Sequence, residues 1–281
     1  MELWYNDNFV ISDEIIEIFC TKYPVDKRYK LDELVLKEYV PRLVHKNSSL
    51  EEIYIVVTLI NAFYSTRMGA DDCYKLARLL WKRREGIMEA LDAGDKQVVQ
   101  SIVMGQIISK TSYNNKQKFQ NNEGKQENAD SIVRVAFSFT TKYFSILSRY
   151  LDKGDNFPIY DNLVAGLLDF YYRKEGKNLV SATNKNYMAY CEYIDKLGVR
   201  VSYKKLDHYL WTLGRKIRDQ CSHLSEDEYY MLMKKAPRKT RRVEPKNLAG
   251  KSVKYSIKIG SNISVEAMKR ILLHVFPGEL D

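Results

Sequence analysis

Apolar residues recur at three-to-four spacing along most of the chain, the period of a helix with one buried face. DEIIEIFC, residues 13–20, and KLDELVLKEY, residues 30–39, both carry it. SSLEEIYIVVTLINAFYST, 48–66, opens with Ser48 or Ser49 followed by Glu51 or Glu52 and then runs apolar on most faces. That pattern predicts a capped helix buried at the centre of the fold. MGADD interrupts the period and starts a further helix, DDCYKLARLLWKRREGI, with Tyr74, Leu76, Ala77, Leu80 and Trp81 as its apolar face. Helices are predicted next at 95–110, at 130–151 with a break near Ser138–Thr140, at 161–174 and at 181–197. LDHYLWTLGRKIRDQ, 206–220, is amphipathic, with Leu206, Tyr209, Leu210, Leu213 and Ile217 on one side. A last helix runs from about Ser264, its cap, to Val275. No segment before residue 250 alternates strictly; SVKYSIKIG beyond it does, as a strand pair would. The pattern predicts an all-α fold with a short strand pair near the C-terminus.

Two polar stretches punctuate it. TSYNNKQKFQNNEGKQENA, 111–129, is rich in Asn, Gln and Lys and reads as an insert. KKAPRKTRRVEPK, 234–246, is basic and broken by prolines, so it cannot continue a helix. The chain divides there into a helical domain, 1–233, and a basic linker with a C-terminal extension, 234–281. No internal repeat is visible.

Composition narrows the partners. The 281 residues carry a formal charge of +9, from 45 Lys and Arg against 36 Asp and Glu. That excess favours a polyanion, nucleic acid first and an anionic membrane second. The 21 tyrosines offer flat faces with polar tips, suited to nucleobases and equally to amphipathic core lining. Cys20, Cys73, Cys191 and Cys221 lie far apart without ligand spacing, which predicts reduced cytosolic thiols, no metal and no iron–sulfur cluster. No apolar run reaches the roughly 18 residues of a membrane span, and MELWYNDNF lacks a secretory pattern.

FPIYDNLV, 157–164, holds the candidate chemistry. Asp161 stands where a helix cap belongs, which accounts for it without any function. Lys142 precedes it by nineteen residues, within FSFTTKYFSILSRYLDKGDNFPIYD. A helix from about Thr141 to Leu151 and a short return loop would bring both to one cleft. A lysine against an apolar wall becomes an amine nucleophile, and a carboxylate beside it stabilises positive charge on a sugar. A solvated helix lysine is the plainer alternative.

These residues resemble the helix-hairpin-helix Gly/Pro/Asp family of DNA glycosylases, which includes adenine glycosylase, endonuclease III and 8-oxoguanine DNA glycosylase. The family's Phe/Val-Pro-x-x-Asp and apolar helix correspond to Phe157, Pro158, Asp161, Leu163 and Val164. Lys142, in Thr-Lys ahead of an aromatic and apolar helix, is similar to the catalytic lysine of the 8-oxoguanine branch. LINAFYSTR, 59–67, and LDHYLWTLGRKI resemble the early buried helix and a late helix of the same family. The resemblance implies a two-lobed helical fold with a central cleft. It implies a DNA glycosylase with AP-lyase activity, acting on an 8-oxoguanine-like base of double-stranded DNA. Lys142 and Asp161 would be catalytic, and neither cofactor nor metal would be needed. Tyr64, Ser65 and Arg67 would wedge the gap left by the flipped nucleotide. Phe139, Tyr143, Trp211 or Phe276 would stack the base. Ser138, Thr140, Thr141, Arg238, Lys239, Arg241 and Arg242 would hold the DNA backbone, and His208 a phosphate or base. The protein would be a bacterial, cytoplasmic, nucleoid-associated monomer without a membrane partner.

The family's hairpin, roughly Leu-Pro-Gly-Val-Gly, is here Phe137-Ser138-Phe139-Thr140-Thr141, without glycine. Glycine lets backbone amides approach a phosphate, so the DNA grip has to differ. Two further readings stay open: a glycosylase scaffold kept for DNA binding, with altered chemistry and a role against modified foreign DNA, and a helical interaction protein without a nucleic-acid role.

Overall fold

The computed structural model describes residues 11–64, 68–108, 129–174, 186–234, 255–257 and 263–276. These residues form twelve helices in chain order: α1 (Asp13–Lys22), α2 (Lys27–Leu43), α3 (Leu50–Phe63), α4 (Ala70–Lys82), α5 (Arg84–Ala93), α6 (Lys96–Ile108), α7 (Ala129–Tyr150), α8 (Asn162–Lys174), α9 (Tyr187–Asp195), α10 (Tyr203–Gln220), α11 (Glu226–Met233) and α12 (Val265–Val275). The all-α expectation holds. The strand-like tail contributes, among the described residues, one antiparallel bridge between Leu224 and Tyr255. The polar insert and the basic run fall almost entirely outside the described residues.

Local chemistry sets the ends. Ser49 and Glu52 close a capping box on α3, Ser264 caps α12, and Ser225 with Glu228 boxes α11, a helix the period did not announce. The helix expected across 71–87 is two. Arg83 leaves the helical path between α4 and α5, and the Arg84 guanidinium ties the corner to the carbonyls of Lys46 and Trp81.

The helices gather in two groups. In one, α3 packs on α2 and α4, and α7 receives α2, α3, α5 and α6. In the other, α10 receives α8, α1 and α12, and α11 packs on α12. The first helix therefore joins the second half of the chain. Contact of α6 with α9 links the groups, and the chain crosses between them once more through residues 151–161.

The helix at the centre is α7, not α3. Every residue from Phe139 to Ser148 is buried, including Thr140, Thr141, Lys142, Ser145 and Ser148. On α3, Glu51, Ile55, Thr58 and Ala62 form an exposed stripe opposite the buried Ile53, Val56, Val57 and Ile60. The break expected near Ser138–Thr140 is absent, because α7 runs unbroken through it.

Candidate active site

A tight return behind α7 builds the site. Asp152 and Gly154 both take left-handed backbone, with φ of 56° and 86°, and Ser148 Oγ donates to the Gly154 carbonyl. Phe157 then buries against Phe144. The next three residues are pinned by hydroxyls from both sides. Tyr187 donates to the Pro158 carbonyl at 3.0 Å and Tyr190 to that of Ile159 at 2.7 Å. From α7, Thr141 Oγ1 accepts the Tyr160 N–H at 3.1 Å, and Ser138 Oγ donates to the Tyr160 carbonyl at 3.2 Å. A segment too short to pair as a strand thus has its three carbonyls and the Tyr160 N–H satisfied, and its end is held in register with α7.

That register sets Asp161 Oδ2 3.8 Å from Lys142 Nζ, with side-chain exposures of 20% and 10%. Asp161 is also the cap of α8: Oδ1 accepts from Leu163 N at 2.8 Å, and its carbonyl accepts from Ala165 N at 2.8 Å. Cap and ion-pair partner are one residue, using separate carboxylate oxygens. The contact is longer than a charge-assisted hydrogen bond of about 2.7–2.9 Å. The ammonium donates instead to Ser138 Oγ, at 3.1 Å.

Further ionisable groups surround the pair. Arg149, two turns along α7 from Lys142, donates through Nε to the Ser145 carbonyl and lies beside Tyr64. Lys204 places Nζ 2.8 Å from Glu33 and its backbone N–H 2.8 Å from Asp155. Asp207, one turn further on α10, lies in the field of Asp161, Lys142, Arg149 and Asp155. Burial pushes its carboxyl up to about 7; Asp161 adds to the rise, and Lys142 and Arg149 oppose it. Burial likewise pushes the Tyr64 phenol up to about 12, and raises that of Tyr150. Asp207 also lines a small cavity with Pro158, Ile159, Val164, Tyr190 and Leu210.

The other expected residues part company. Tyr64 ends α3 beside Arg149, and Trp211 is half-buried on α10, edge-on to Tyr29 with Arg215 over its face. Phe139 and Tyr143 are fully buried core residues, and Phe276 packs in the core near α10. The former two face a packed interior. Ser138 and Thr141 spend their hydroxyls inside the protein, and Thr140 is sealed. All three lie on a continuous α7, which has no hairpin at this point. His208 Nε2 lies 2.7 Å from the Tyr23 carbonyl, tying α10 to the end of α1. Ser65, Arg67, Arg238, Lys239, Arg241 and Arg242 lie outside the described residues.

Sequence reasoning missed Arg149 and Asp207. Arg149 had a legible signal. Ser138, Lys142, Ser145 and Arg149 fall at i, i+4, i+7 and i+11 of one helix, a polar stripe on one face. Asp207 had none beyond its neighbour Leu206 on the apolar side of α10.

A family model, HI_0787_N, described as an N-terminal domain, matches residues 14–151. That span runs from α1 to the end of α7 and holds Lys142 but not Asp161. No curated protein matches the chain, and no solved structure does. No described helix is long and apolar enough to cross a membrane.

Proposed function

We propose that the protein is a DNA base-excision glycosylase with AP-lyase activity, acting on an oxidised or otherwise modified base of the 8-oxoguanine type. The observation that carries the reading is the Lys142–Asp161 pair, an amine and a carboxylate 3.8 Å apart at the junction of the two helix groups. A base inside a duplex is out of reach, so the nucleotide is flipped at a cost of about a few kcal/mol. Asp161 stabilises the cationic sugar as the glycosidic bond breaks. Lys142, as the free amine, attacks C1′ and the base departs with a proton. Ring opening gives a Schiff base, and loss of the C2′ proton expels the 3′ phosphate by β-elimination. The resemblance around FPIYDNLV and the positive charge of the chain support the same reading.

Borohydride trapping tests it. The protein is incubated with duplexes carrying 8-oxoguanine, uracil, an oxidised pyrimidine or an abasic site, then reduced and run on a denaturing gel. The expected result is a covalent adduct in wild type that is lost in Lys142→Gln. An adduct that survives Lys142→Gln overturns the assignment of the nucleophile. The unbroken α7 across residues 137–141 favours a second reading, a DNA-binding protein of glycosylase-like architecture whose chemistry has changed. Salt-sensitive duplex binding with no adduct on any substrate is its signature.

A further inference from the structure

One serine touches both sides of the pair. Ser138 lies one turn before Lys142 on α7, and its hydroxyl has a single proton to give. That proton goes to the Tyr160 carbonyl, at 3.2 Å. The lone pairs are left to accept from Lys142 Nζ, at 3.1 Å. The other hydroxyl of this turn is directed in the same way. Thr141 Oγ1 donates to the Ser138 carbonyl at 3.0 Å and accepts the Tyr160 N–H at 3.1 Å. The N–H and the carbonyl of Tyr160 are thus both held by one turn of α7, and Asp161 is the next residue. The turn that places the carboxylate also holds the amine.

The gap between the two partners has a cause. Lys142 Nζ stands 3.8 Å from Asp161 Oδ2, about 1 Å beyond a charge-assisted hydrogen bond. Both side chains are largely enclosed, where opposite charges attract more strongly than in water. A lysine with no other acceptor would close that distance. We propose that Ser138 is a positioning residue, whose hydroxyl holds Lys142 Nζ off the Asp161 carboxylate and keeps the amine open to an electrophilic carbon. The proposal rests on the glycosylase reading for the identity of that carbon, the sugar C1′, but its test needs no DNA. Ser138 touches no reacting atom and acts through Lys142. A closed Lys142–Asp161 contact would turn the amine away from substrate, and the attack geometry would be lost.

Reductive methylation probes the amine with a small carbonyl. Lys142 adds to formaldehyde, water leaves, and cyanoborohydride delivers hydride to the resulting iminium. Full-length wild type, Ser138→Ala and Ser138→Thr are treated briefly at one pH. Lys142 modification is measured by peptide mass spectrometry relative to Lys37, which is exposed on α2. Ser138→Ala is expected to slow Lys142 by roughly threefold to tenfold, the effect of about one hydrogen bond. Ser138→Thr keeps the hydroxyl and should stay within about twofold of wild type. The comparison is repeated with Asp161→Asn, which leaves no carboxylate to close on. There, removing the Ser138 hydroxyl should change Lys142 labelling by less than about twofold, whereas a merely structural serine would cause the same drop in both backgrounds. That equal drop, no drop in Ser138→Ala, a Ser138→Thr that behaves like Ser138→Ala, or a wild-type Lys142 that never labels would each overturn the proposal. The expected labelling with no borohydride adduct on any duplex would sink the glycosylase reading and leave the role of Ser138 standing. Adducts that form equally fast in wild type and Ser138→Ala would do the reverse.

Discussion

Asp161 does two jobs with two oxygens, and substitution separates them. Asn caps a helix about as well as Asp, whereas Ala does not. Asp161→Asn is expected to lose adduct formation while keeping the α8 cap, and Asp161→Ala to lose both. Chemical denaturation should place the Ala variant about 1 kcal/mol below the Asn variant; equal stabilities would mean that the cap contributes nothing. Asp207 makes a separate prediction about pH. Its folded value, about 7, lies above the ordinary carboxyl value of roughly 3.9. Between those values the native state binds more protons than the unfolded one, so stability falls as pH rises through that window and levels beyond it. This is opposite in sign to a salt-bridged aspartate. Thermal unfolding from about pH 4 to about pH 8 should show wild type losing stability where Asp207→Asn does not. Parallel curves for the two proteins would contradict the buried carboxyl.

Among the elements, the crossing of α8 and α10 is close enough to constrain the site. A Cβ placed on Gly214 would lie 3.0 Å from Leu163 Cβ and 3.4 Å from Leu167 Cδ1. Leu163 is two residues beyond Asp161, and its Cβ is fixed to the helix backbone, so α8 itself has to move. Gly214→Ala is expected to destabilise the protein by roughly 1–2 kcal/mol despite alanine's better helix propensity, and to weaken trapping by displacing Asp161. A stability gain would show that the crossing has slack. The capping box on α11 offers a contrast away from the site. Ser225→Ala should cost about 1 kcal/mol with trapping unchanged, read by denaturation and by the same gel.

For the whole molecule, charge and connectivity decide what can be expected. A net +9 supports duplex affinity that is largely sequence-blind and falls steeply with salt. The logarithm of the binding constant should fall against the logarithm of salt concentration with a slope of about −3 or steeper. Affinity independent of salt would favour the helical interaction protein over both DNA readings. Joining α1 to α10 makes the second helix group depend on both ends of the described chain. Asp13 Oδ1 accepts the backbone N–H groups of Arg200 and Val201, which fastens the start of α1 to the turn before α10.

Period and capping chemistry made much of the fold legible. The apolar face of α10 lies on the residues its spacing indicated, Leu206, Tyr209, Leu210, Leu213 and Ile217, and Ser49 and Ser264 cap the helices they were expected to cap. These are local properties, fixed within one or two turns. The bend at Arg83 was not legible, because it depends on carbonyls brought from Lys46 and Trp81. Nor was the rank of burial. An apolar stretch looked central in α3, yet α7, which carries lysine, serine and threonine, is the buried helix because four other helices cover it. The sequence by itself determined a helical chain, Asp161 at the head of α8, and Lys142 as the residue to set beside it. Only the tertiary structure decided that hydroxyls from α7 and α9 hold residues 158–160 so that the two meet, and that α10 brings a fourth carboxyl against them. A cluster of that kind is assembled from segments distant in the chain, and no spacing along the sequence records it.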